Sequence, residues 1–392
     1  MDRREEQKKR RKKNLDTHKR VSVFNAIIFF GVILAADVIL LFSHGRVFSE
    51  NENRTLQQAP VLTSSSLTSG KFMKQFESFV ADQFFYRDGW IYTKLKMDKV
   101  LGRKVSNGVY LGEQGYLFED AAVPAQQSLD RNLDAINQFS NSHSGIRQVM
   151  MIVPNASEVI SDLLPSGAPV RSQAEDLTAI SSRLGPQLQF VDLLPVLKEH
   201  KNEELYYKSD HHWTSLAAMY AFDVVAGEFD LSPSNQYRVL TVTDDFSGTM
   251  AATSGDFDVR DRIDLYLTEP EVDYYVEYSG DPVKYSSIYS SSALEQKNKY
   301  EVFFGGNFPK ITITTVNHFG RNLLLLKDSY ANCFVQFLLP YFDRILIIDP
   351  RYYSDDLEAD IAAAGITDLL ILYNENTFVQ DNSLSGVLDP QA

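Results

Sequence analysis

Hydrophobic and polar positions follow three different patterns along the chain. Residues 21–43 are almost wholly apolar, residues 44–70 are polar, and from about residue 125 short apolar runs alternate with segments whose apolar residues recur at helical spacing. Short apolar runs are typical of strands buried on both faces, and strands that alternate with helices favour a mostly parallel sheet. The pattern therefore predicts an α/β fold with helices on both faces of the sheet.

Each apolar run or helical repeat predicts one element of this fold. Strands are expected at residues 149–153, 190–193, 323–326, 344–349 and 366–373, and helices at residues 129–139, 174–184, 216–222, 330–339 and 357–364. Glycines that interrupt an alternating pattern at residues 107–117 predict a β-hairpin. We expect one domain over residues 71–392, with an irregular insertion at about residues 231–300.

The N-terminal apolar run predicts a membrane anchor. It directly follows a Lys-Arg pair, and residues 1–20 contain ten Lys or Arg against four Asp or Glu. About twenty apolar residues suffice to span a bilayer as a helix, and a basic flank belongs on the cytoplasmic side. No small-residue cleavage motif follows at once, which favours an uncleaved signal anchor. The expected order is a cytoplasmic tail, a transmembrane anchor, a connector and an extracytoplasmic domain, at residues 1–20, 21–43, 44–70 and 71–392.

Composition removes several classes of function. The formal net charge is −14, which argues against nucleic-acid binding. Cys333 is the single cysteine, so the chain can form neither an internal disulfide nor a cysteine-rich metal site. The sequence contains no glycine-rich phosphate loop and no repeat. We expect no cofactor.

The four leucines at residues 323–326 lead to a candidate nucleophile, Ser329. A strand that turns sharply into a helix would hold Ser329 at the carboxyl edge of the sheet, beside free backbone N–H groups and the positive end of the helix. A serine in that setting can act as a nucleophile, because the same N–H groups can receive an oxyanion. The alternative is that Ser329 merely caps the helix.

A second candidate for chemistry is the Asp-His-His-Trp sequence at residues 210–213. A helix is expected to begin directly after this motif, so the motif itself is extended and alternate side chains share a side. Asp210 and His212 would then face the same way, with Asp210 orienting His212 as a general base. His211 would face away and has no such partner in the motif.

Two other interpretations of this motif stay open. Asp210, His211 and His212 could ligate a metal, because two histidines and a carboxylate are a common ligand set. The remaining histidines are few, and we expect no metal. The motif could also be a purely structural polar loop.

The Asp-His-His-Trp motif resembles the signature of the bacterial DHHW protein family. That family is similar to the acetyltransferase domains of the alginate-acetylation proteins and, through them, to the SGNH hydrolase superfamily. Further stretches resemble the same family, at residues 52–54, 82–87, 107–117, 246–249, 327–332 and 349–353. The resemblance therefore runs from about residue 50 to the C-terminal end, and it implies an SGNH-hydrolase-like fold.

The resemblance also implies a Ser-His-Asp triad. Ser329 matches the serine nucleophile that follows an aspartate in the first SGNH block, and His212 and Asp210 match the Asp-x-His element of the alginate proteins. Lys327 stands where that block normally has glycine, and no clean Gly-x-Asn third block is visible, so the oxyanion donor is open. The candidates are the backbone N–H of Ser329, taken first, and the side chains of Asn155, Asn332 and Asn374.

Two functions are consistent with these residues. The first is a membrane-anchored, extracytoplasmic serine esterase or O-acetyltransferase that acts on a cell-surface polysaccharide through an acyl-enzyme on Ser329. The resemblance to the alginate proteins implies transfer rather than hydrolysis, and with it a membrane partner that supplies the acyl group. The second is a non-catalytic protein that binds polysaccharide or scaffolds an envelope complex, with a degenerate SGNH-like site.

Overall fold

The computed structural model of the protein describes residues 3–42, 45–49, 51–52, 54–233 and 236–389. The chain divides into two compact units, Met1–Lys94 and Leu95–Ala392. The limits of the tail, anchor, connector, domain and insertion that the sequence suggests stay predictions.

The first unit begins with a long helix, α1 (Arg3–Phe42). Its segment Thr17–Ala35 is apolar and long enough to cross a membrane. This segment is compatible with a membrane anchor or a signal sequence. The other elements of the unit are β1 (Phe48–Ser49), β2 (Arg54–Thr55), α2 (Ser64–Thr68), α3 (Lys71–Gln83) and the first part of α4 (Arg87–Val100).

The second unit contains an eight-stranded sheet with helices on both faces. The strands of the second unit, eight of which form this sheet, are β3 (Val105–Ser106), β4 (Val109–Leu111), β5 (Leu117–Phe118), β6 (Arg147–Val153), β7 (Leu188–Val191), β8 (Gln236–Phe246), β9 (Asp261–Glu269), β10 (Tyr274–Tyr278), β11 (Lys284–Tyr285), β12 (Lys310–Thr315), β13 (Asn322–Lys327), β14 (Arg344–Ile348) and β15 (Asp368–Asn374). Its α-helices are α5 (Gln126–Ser142), α6 (Ala156–Val159), α7 (Ala174–Arg183), α8 (Leu194–Glu199), α9 (Ser215–Glu228), α10 (Thr249–Ser254), α11 (Leu357–Ala364), α12 (Glu375–Gln380) and α13 (Ser383–Leu388).

The large sheet is mostly parallel, which confirms the predicted α/β class. Its strand order is β11-β10-β12-β14-β13-β15-β6-β7. The five strands from β14 to β7 in this order run parallel to one another, and the other three add antiparallel pairs at one side. The carboxyl ends of β13, β15 and β6 therefore meet at one edge of the sheet, where ligands usually bind in such folds.

The four leucines of β13 show how the sheet is covered. Leu323 and Leu325 belong to one hydrophobic cluster, which includes residues of α9, whereas Leu324 and Leu326 belong to a second cluster, which includes residues of α5 and α11. Successive side chains of a strand point to opposite faces, so one short run contributes to two cores. The strand is buried on both faces, as its unbroken apolar run predicts.

Smaller sheets surround this body. β3, β4 and β5 form a three-stranded antiparallel sheet at the position of the predicted hairpin. β8 and β9 form a separate antiparallel pair, and α10 lies between them in the chain. β10 and β11, which fall inside residues 231–300, instead extend the large sheet.

The segment after β13 differs from the α-helix predicted at residues 330–339. It forms two 3-10 turns, Ser329–Cys333 and Val335–Phe337. In an α-helix each carbonyl group accepts from the N–H four residues later. Side chains donate hydrogen bonds to three of the carbonyl groups in this segment, which favours the shorter 3-10 turns. The side-chain bonds are Tyr300 to the carbonyl of Ser329 at 3.0 Å, Trp213 to that of Tyr330 at 2.8 Å, and Gln336 to that of Cys333 at 2.5 Å.

Candidate active site

Three side chains from two distant segments of the second unit form a continuous chain of hydrogen bonds. Ser329 Oγ lies 2.8 Å from His212 Nε2, and His212 Nδ1 lies 2.5 Å from Asp210 Oδ1. An ionised Asp210 carboxylate can only accept, so Nδ1 carries the proton and Nε2 of the neutral imidazole accepts from the serine hydroxyl. In this arrangement a histidine can take a proton from a serine.

The turn that carries Ser329 is held by the carboxylate of Asp328, which is fully buried. This carboxylate accepts from the backbone N–H groups of Tyr330 and Asn374, both at 2.9 Å. Burial raises the pKa of Asp328. Because Asn374 ends the neighbouring strand β15, Asp328 links two strand ends and ties the position of Ser329 to the sheet.

Aromatic side chains tie the loop that carries His212 to the serine turn. Trp213 Nε1 donates to the carbonyl of Tyr330 at 2.8 Å, and the hydroxyl of Tyr330 donates to the carbonyl of His211. The imidazole of His212 packs against the rings of His211 and Tyr300, with centroids 3.9 Å away in both cases. The imidazole is therefore held by ring contacts as well as by bonds at both nitrogens.

Asp210 is buried and accepts four hydrogen bonds. Oδ1 accepts from the backbone N–H of His212 at 3.0 Å and from its ring at 2.5 Å, and Oδ2 accepts from the backbone N–H of Thr249 at 2.8 Å and from its hydroxyl at 3.0 Å. Burial alone would raise the pKa of Asp210, but electrostatic interaction with His211 and His212 and these hydrogen bonds outweigh burial and hold that pKa well below its usual range. Asp210 is therefore ionised at neutral pH and can stabilise an imidazolium on His212.

Gly248 allows the carboxylate of Asp210 to lie directly against the backbone. A β-carbon at position 248 would overlap the side chain of Asp210. The N–H of Gly248 donates to Ser209 Oγ at 2.9 Å, which fixes the start of the loop. The Phe-Ser-Gly-Thr stretch at residues 246–249 thus forms the wall on which Asp210 packs.

Sequence reasoning did not identify Asp261 or Tyr300. Asp261 in β9 accepts from the backbone N–H groups of Lys208 and Ser209, both at 2.8 Å, and so anchors the Asp-His-His-Trp loop. The hydroxyl of Tyr300 donates to the carbonyl of Ser329 at 3.0 Å. Both residues lie in the predicted insertion, where no local pattern marks a contact with the site.

Two oxyanion candidates already donate hydrogen bonds to other residues. Asn374 Nδ2 donates to the carbonyl of Val153 and to Asn155 Oδ1, both at 3.2 Å, so both of its hydrogens are used. Asn332 Nδ2 donates one hydrogen to Asn307 Oδ1 at 3.3 Å, and its second hydrogen has no acceptor among the residues described. Asn374 is therefore poorly placed to act as an oxyanion donor, whereas Asn332 keeps one donor hydrogen.

The other two oxyanion candidates retain a donor. Within the described ranges the backbone N–H of Ser329 has no hydrogen-bond acceptor. Asn155 Nδ2 donates one hydrogen to Glu119, and its second hydrogen has no acceptor among the residues described. Ser329, Asn155 and Asn332 therefore each retain a donor among the four candidates.

Comparison with known proteins identifies the family. Residues 109–307 match the family described as SGNH hydrolase-like domain, acetyltransferase AlgX. The chain belongs to this family. The matched residues include Asp210 and His212 and end before Ser329.

Solved structures with this SGNH hydrolase-like fold cover most of the chain. A DHHW family protein from Eubacterium siraeum is 26% identical, with a TM-score of 0.62 over 72% of this chain and 95% of that chain. PatB1 from Bacillus cereus, solved with a sulfonyl adduct, is 18% identical, with a TM-score of 0.59 over 70% of this chain and 97% of that chain. A search of curated proteins gave no match.

Lys327 departs from the glycine of the SGNH first block, and its side chain forms a buried ion pair. Lys327 Nζ lies 3.4 Å from Asp349 Oδ2 and donates to Asn332 Oδ1 at 2.8 Å. Burial lowers the pKa of Lys327, whereas the charge of Asp349 acts in the opposite direction. The lysine is thus accommodated by polar partners, one of which is the oxyanion candidate Asn332.

The Asp-His-His-Trp loop also meets a geometric requirement for a metal site. Asp210, His211 and His212 offer ligand atoms within 4.8 Å of one another. Both ring nitrogens of His212 are already hydrogen-bonded, and His211 Nδ1 lies 2.8 Å from Thr249 Oγ1. A metal bound through either ring nitrogen of His212 would break the hydrogen bond of that nitrogen to Ser329 or to Asp210. The triad and the metal site therefore exclude each other. The expected absence of a metal stays a prediction.

Proposed function

We propose that the protein is a membrane-anchored, extracytoplasmic serine esterase or O-acetyltransferase that acts on cell-surface polysaccharide. Ser329 is the nucleophile, His212 is the general base, and Asp210 orients His212. The observation that supports this proposal most directly is the chain of hydrogen bonds from Ser329 to His212 at 2.8 Å and from His212 to Asp210 at 2.5 Å.

In the first half of the reaction, Ser329 Oγ attacks the carbonyl carbon of an acyl donor and passes its proton to His212 Nε2. The tetrahedral oxyanion is stabilised by N–H donors, of which the backbone N–H of Ser329 is our first candidate and the amide of Asn155 the second. The bond from carbon to the leaving group then breaks. The leaving group takes the proton from His212, and an ester of Ser329 remains.

In the second half, a sugar hydroxyl or a water attacks the ester of Ser329. His212 takes the proton of the attacking hydroxyl, the bond between the acyl carbon and Ser329 Oγ breaks, and the proton returns to that oxygen. Attack by a sugar gives an acylated polysaccharide, and attack by water gives a free acid. The same three residues therefore serve transfer and hydrolysis.

The N-terminal helix supports the proposed location. The apolar segment Thr17–Ala35 is long enough to span a bilayer, and the basic residues before it favour a cytoplasmic N-terminus. The domain would then meet its polysaccharide outside the cell membrane. Because the acyl donor must reach the same side, we propose a membrane partner that presents an activated acyl ester or thioester. Membership of a family described by an acetyltransferase favours acetyl as the acyl group.

The test is turnover of a chromogenic aryl acetate by the full chain in detergent. Ser329→Ala should lower kcat/KM by about 10³-fold or more, because it removes the proposed nucleophile. After incubation with the donor, wild type should gain the mass of one acetyl group on Ser329. Ser182→Ala, which changes an exposed serine on α7, is the matched control and should match wild type in both measurements.

Equal turnover by wild type and Ser329→Ala would remove the catalytic serine. The protein would then fit the alternative, a non-catalytic polysaccharide-binding or envelope-scaffolding protein with a degenerate site. Glycan binding that survives Ser329→Ala and His212→Ala, without turnover of any ester, would favour that alternative directly.

A further inference from the structure

A polar pocket lies next to the Ser329–His212 pair, at the edge of the sheet where β15 and β6 end. Its volume is about 450 Å³, and its walls include Glu119, His211, Asn374, Asn376, Gln380 and Asp381. Two wall residues connect the pocket to the neighbourhood of the pair. The ring of His211 packs on that of His212 with centroids 3.9 Å apart, and the backbone N–H of Asn374 donates to Asp328, the residue before Ser329, at 2.9 Å.

The walls of this pocket carry carboxylates and amides but no cationic side chain. Two of the described residues that line it are acidic, Glu119 and Asp381, and none is Lys or Arg. Burial lowers the pKa of His211, whereas the charges of Asp210 and Glu119 act in the opposite direction. Burial also raises the pKa of Glu119, so Asp381 is the wall carboxylate on which the charge of the pocket mainly depends. The pocket therefore offers hydrogen-bonding groups and the charge of Asp381, with no lysine or arginine in its walls to neutralise an anionic ligand.

The wall residues divide into a fixed part and an available part. Asn376 is fixed, because Oδ1 accepts from the N–H of Ala122 at 2.7 Å and Nδ2 donates to the carbonyl of Asp120 at 3.1 Å. Gln380 is exposed, and within the described ranges its amide has no hydrogen-bond partner. Asp381 accepts from Ser383 through Oδ2, which leaves Oδ1 for a ligand. Available carboxylate and amide groups of this kind suit the hydroxyl groups of a sugar.

We propose that this pocket binds the acceptor sugar, and that it selects an uncharged sugar or an amino sugar over a uronic acid. This inference rests on the proposed function, because it names the acceptor of the same reaction. The carboxylate of a uronic acid would lie close to Asp381 with no lysine or arginine to offset the repulsion, whereas the ammonium group of an amino sugar would be attracted. The selection depends on what the pocket repels as much as on what it binds.

The test is binding of three tetrasaccharides to the full-length Ser329→Ala protein, which binds without turnover. The ligands are oligomers of N-acetylglucosamine, glucosamine and galacturonic acid, compared at about 50 mM salt so that charge is not strongly screened. The neutral and amino oligomers should bind at least about tenfold more tightly than the uronate. Asp381→Lys in the same background should tighten uronate binding about tenfold, because it reverses one wall charge.

Two controls make the result specific. Glu199→Lys makes the same charge change at an exposed position on α8, away from the pocket walls, and should leave the order of the three affinities unchanged. Asp381→Asn removes the charge with little change in shape, and should shift the ratio in the same direction if Asp381→Lys does not fold.

The outcomes separate this inference from the proposed function. Loss of aryl acetate turnover in Ser329→Ala supports the triad without any reference to the pocket. If turnover depends on Ser329 but the uronate binds as tightly as the neutral oligomer, or none of the three oligomers binds, the proposed function stands and the assignment of the pocket is wrong. An unchanged affinity ratio in both Asp381 variants would overturn the assignment in the same way.

Discussion

The serine and the histidine of the candidate site are held by two different kinds of structure. Ser329 follows β13, which pairs with β14 on one side and β15 on the other, and Asp328 ties the turn to the end of β15. His212 lies in the loop between α8 and α9, where an isolated bridge joins Tyr206 to Trp213. Main-chain pairing in the sheet thus positions the serine for the most part, with Asp328 fixing the turn, whereas the histidine depends mainly on side-chain contacts and a short main-chain bridge.

This difference affects how each half should respond to substitution. A ladder of backbone hydrogen bonds is lost only when the strands separate, so damage to the sheet side lowers stability. The loop depends on bonds such as those from the backbone N–H of Thr249 to Asp210 and from that of Ser209 to Asp261, each worth roughly 1–3 kcal/mol because the acceptors are carboxylates. Losing one of them moves the imidazole without unfolding the protein. We therefore expect substitutions on the loop side to lower activity, and substitutions on the sheet side to lower or raise stability.

Asp210→Asn should have the largest effect on the loop side. The amide no longer fixes the proton on His212 Nδ1 and no longer stabilises an imidazolium, so kcat for the aryl acetate should fall by about 10³–10⁴-fold. The control is Asp134→Asn, an exposed aspartate on α5, which should retain wild-type kcat. A fall of less than about tenfold for Asp210→Asn would show that His212 is not oriented by this carboxylate.

Gly248→Ala should have the next largest effect, through geometry alone. The added methyl group overlaps the side chain of Asp210, so the carboxylate and with it the imidazole must shift. A displacement of about 1 Å at a reacting group can lower kcat by about 10²-fold, and we expect that loss in a protein that remains folded. The measurement is kcat together with the thermal midpoint.

Gly227→Ala is the matched control for this substitution. Gly227 lies in α9, and a β-carbon there would meet no atom within 4 Å. Alanine is favoured over glycine in a helix by about 1 kcal/mol, so this variant should be slightly more stable and fully active. If both glycine variants lose activity equally, the loss in Gly248→Ala is not caused by overlap of the added methyl group with Asp210.

The same contrast separates what the sequence can predict from what it cannot. The strands, their burial on two faces and the location of Ser329 at a strand end follow from short-range patterns, because an apolar run and the residue after it are neighbours in the chain. The pairing of Asp210 with His212 is predicted from an extended segment in which alternate side chains share a side. The two side chains do meet, but residues 208–212 form bends, and the ring of His211 packs against that of His212 instead of facing away. These inferences need no knowledge of distant partners.

The predictions that failed or were missing depend on contacts across long sequence distances. The 3-10 turns after Ser329 replace the expected α-helix. The side chains of Trp213 and Tyr300 donate to the carbonyl groups of Tyr330 and Ser329, which in an α-helix would accept from N–H groups four residues later. Tyr300 and Asp261 contact the site from the predicted insertion, and nothing near them in the sequence indicates it. The roles of such residues become visible only when the strands have brought distant segments together.

Glu375→Gln should have the smallest effect on kcat, and it tests the sheet side through stability. Glu375 follows Asn374 at the end of β15, it is buried, and its Oε2 has no hydrogen-bond partner in the described part of the chain. Burial, together with the negative charge of Asp176, raises the pKa of Glu375 to about 9. The folded protein therefore keeps this proton at a pH where the unfolded chain, with a carboxyl pKa of about 4.3, has lost it.

The sign of the pH effect follows from linkage. The stability associated with protonated Glu375 is fully present below the unfolded pKa, falls as pH rises, and is lost once pH passes about 9. Glutamine stays neutral at every pH, so the stability of Glu375→Gln relative to wild type should rise between pH 5 and 9, by about 1.4 kcal/mol per pH unit while Glu375 stays protonated in the folded wild type. Urea midpoints in one detergent at pH 5, 7 and 9 measure this change in stability, with Glu199→Gln, at an exposed position, as control.

A stability difference that does not change with pH would mean that Glu375 is ionised in the folded protein. A loss of kcat as large as that of Gly248→Ala would mean that the sheet side and the loop side are not separable, and that the serine too is positioned by side chains.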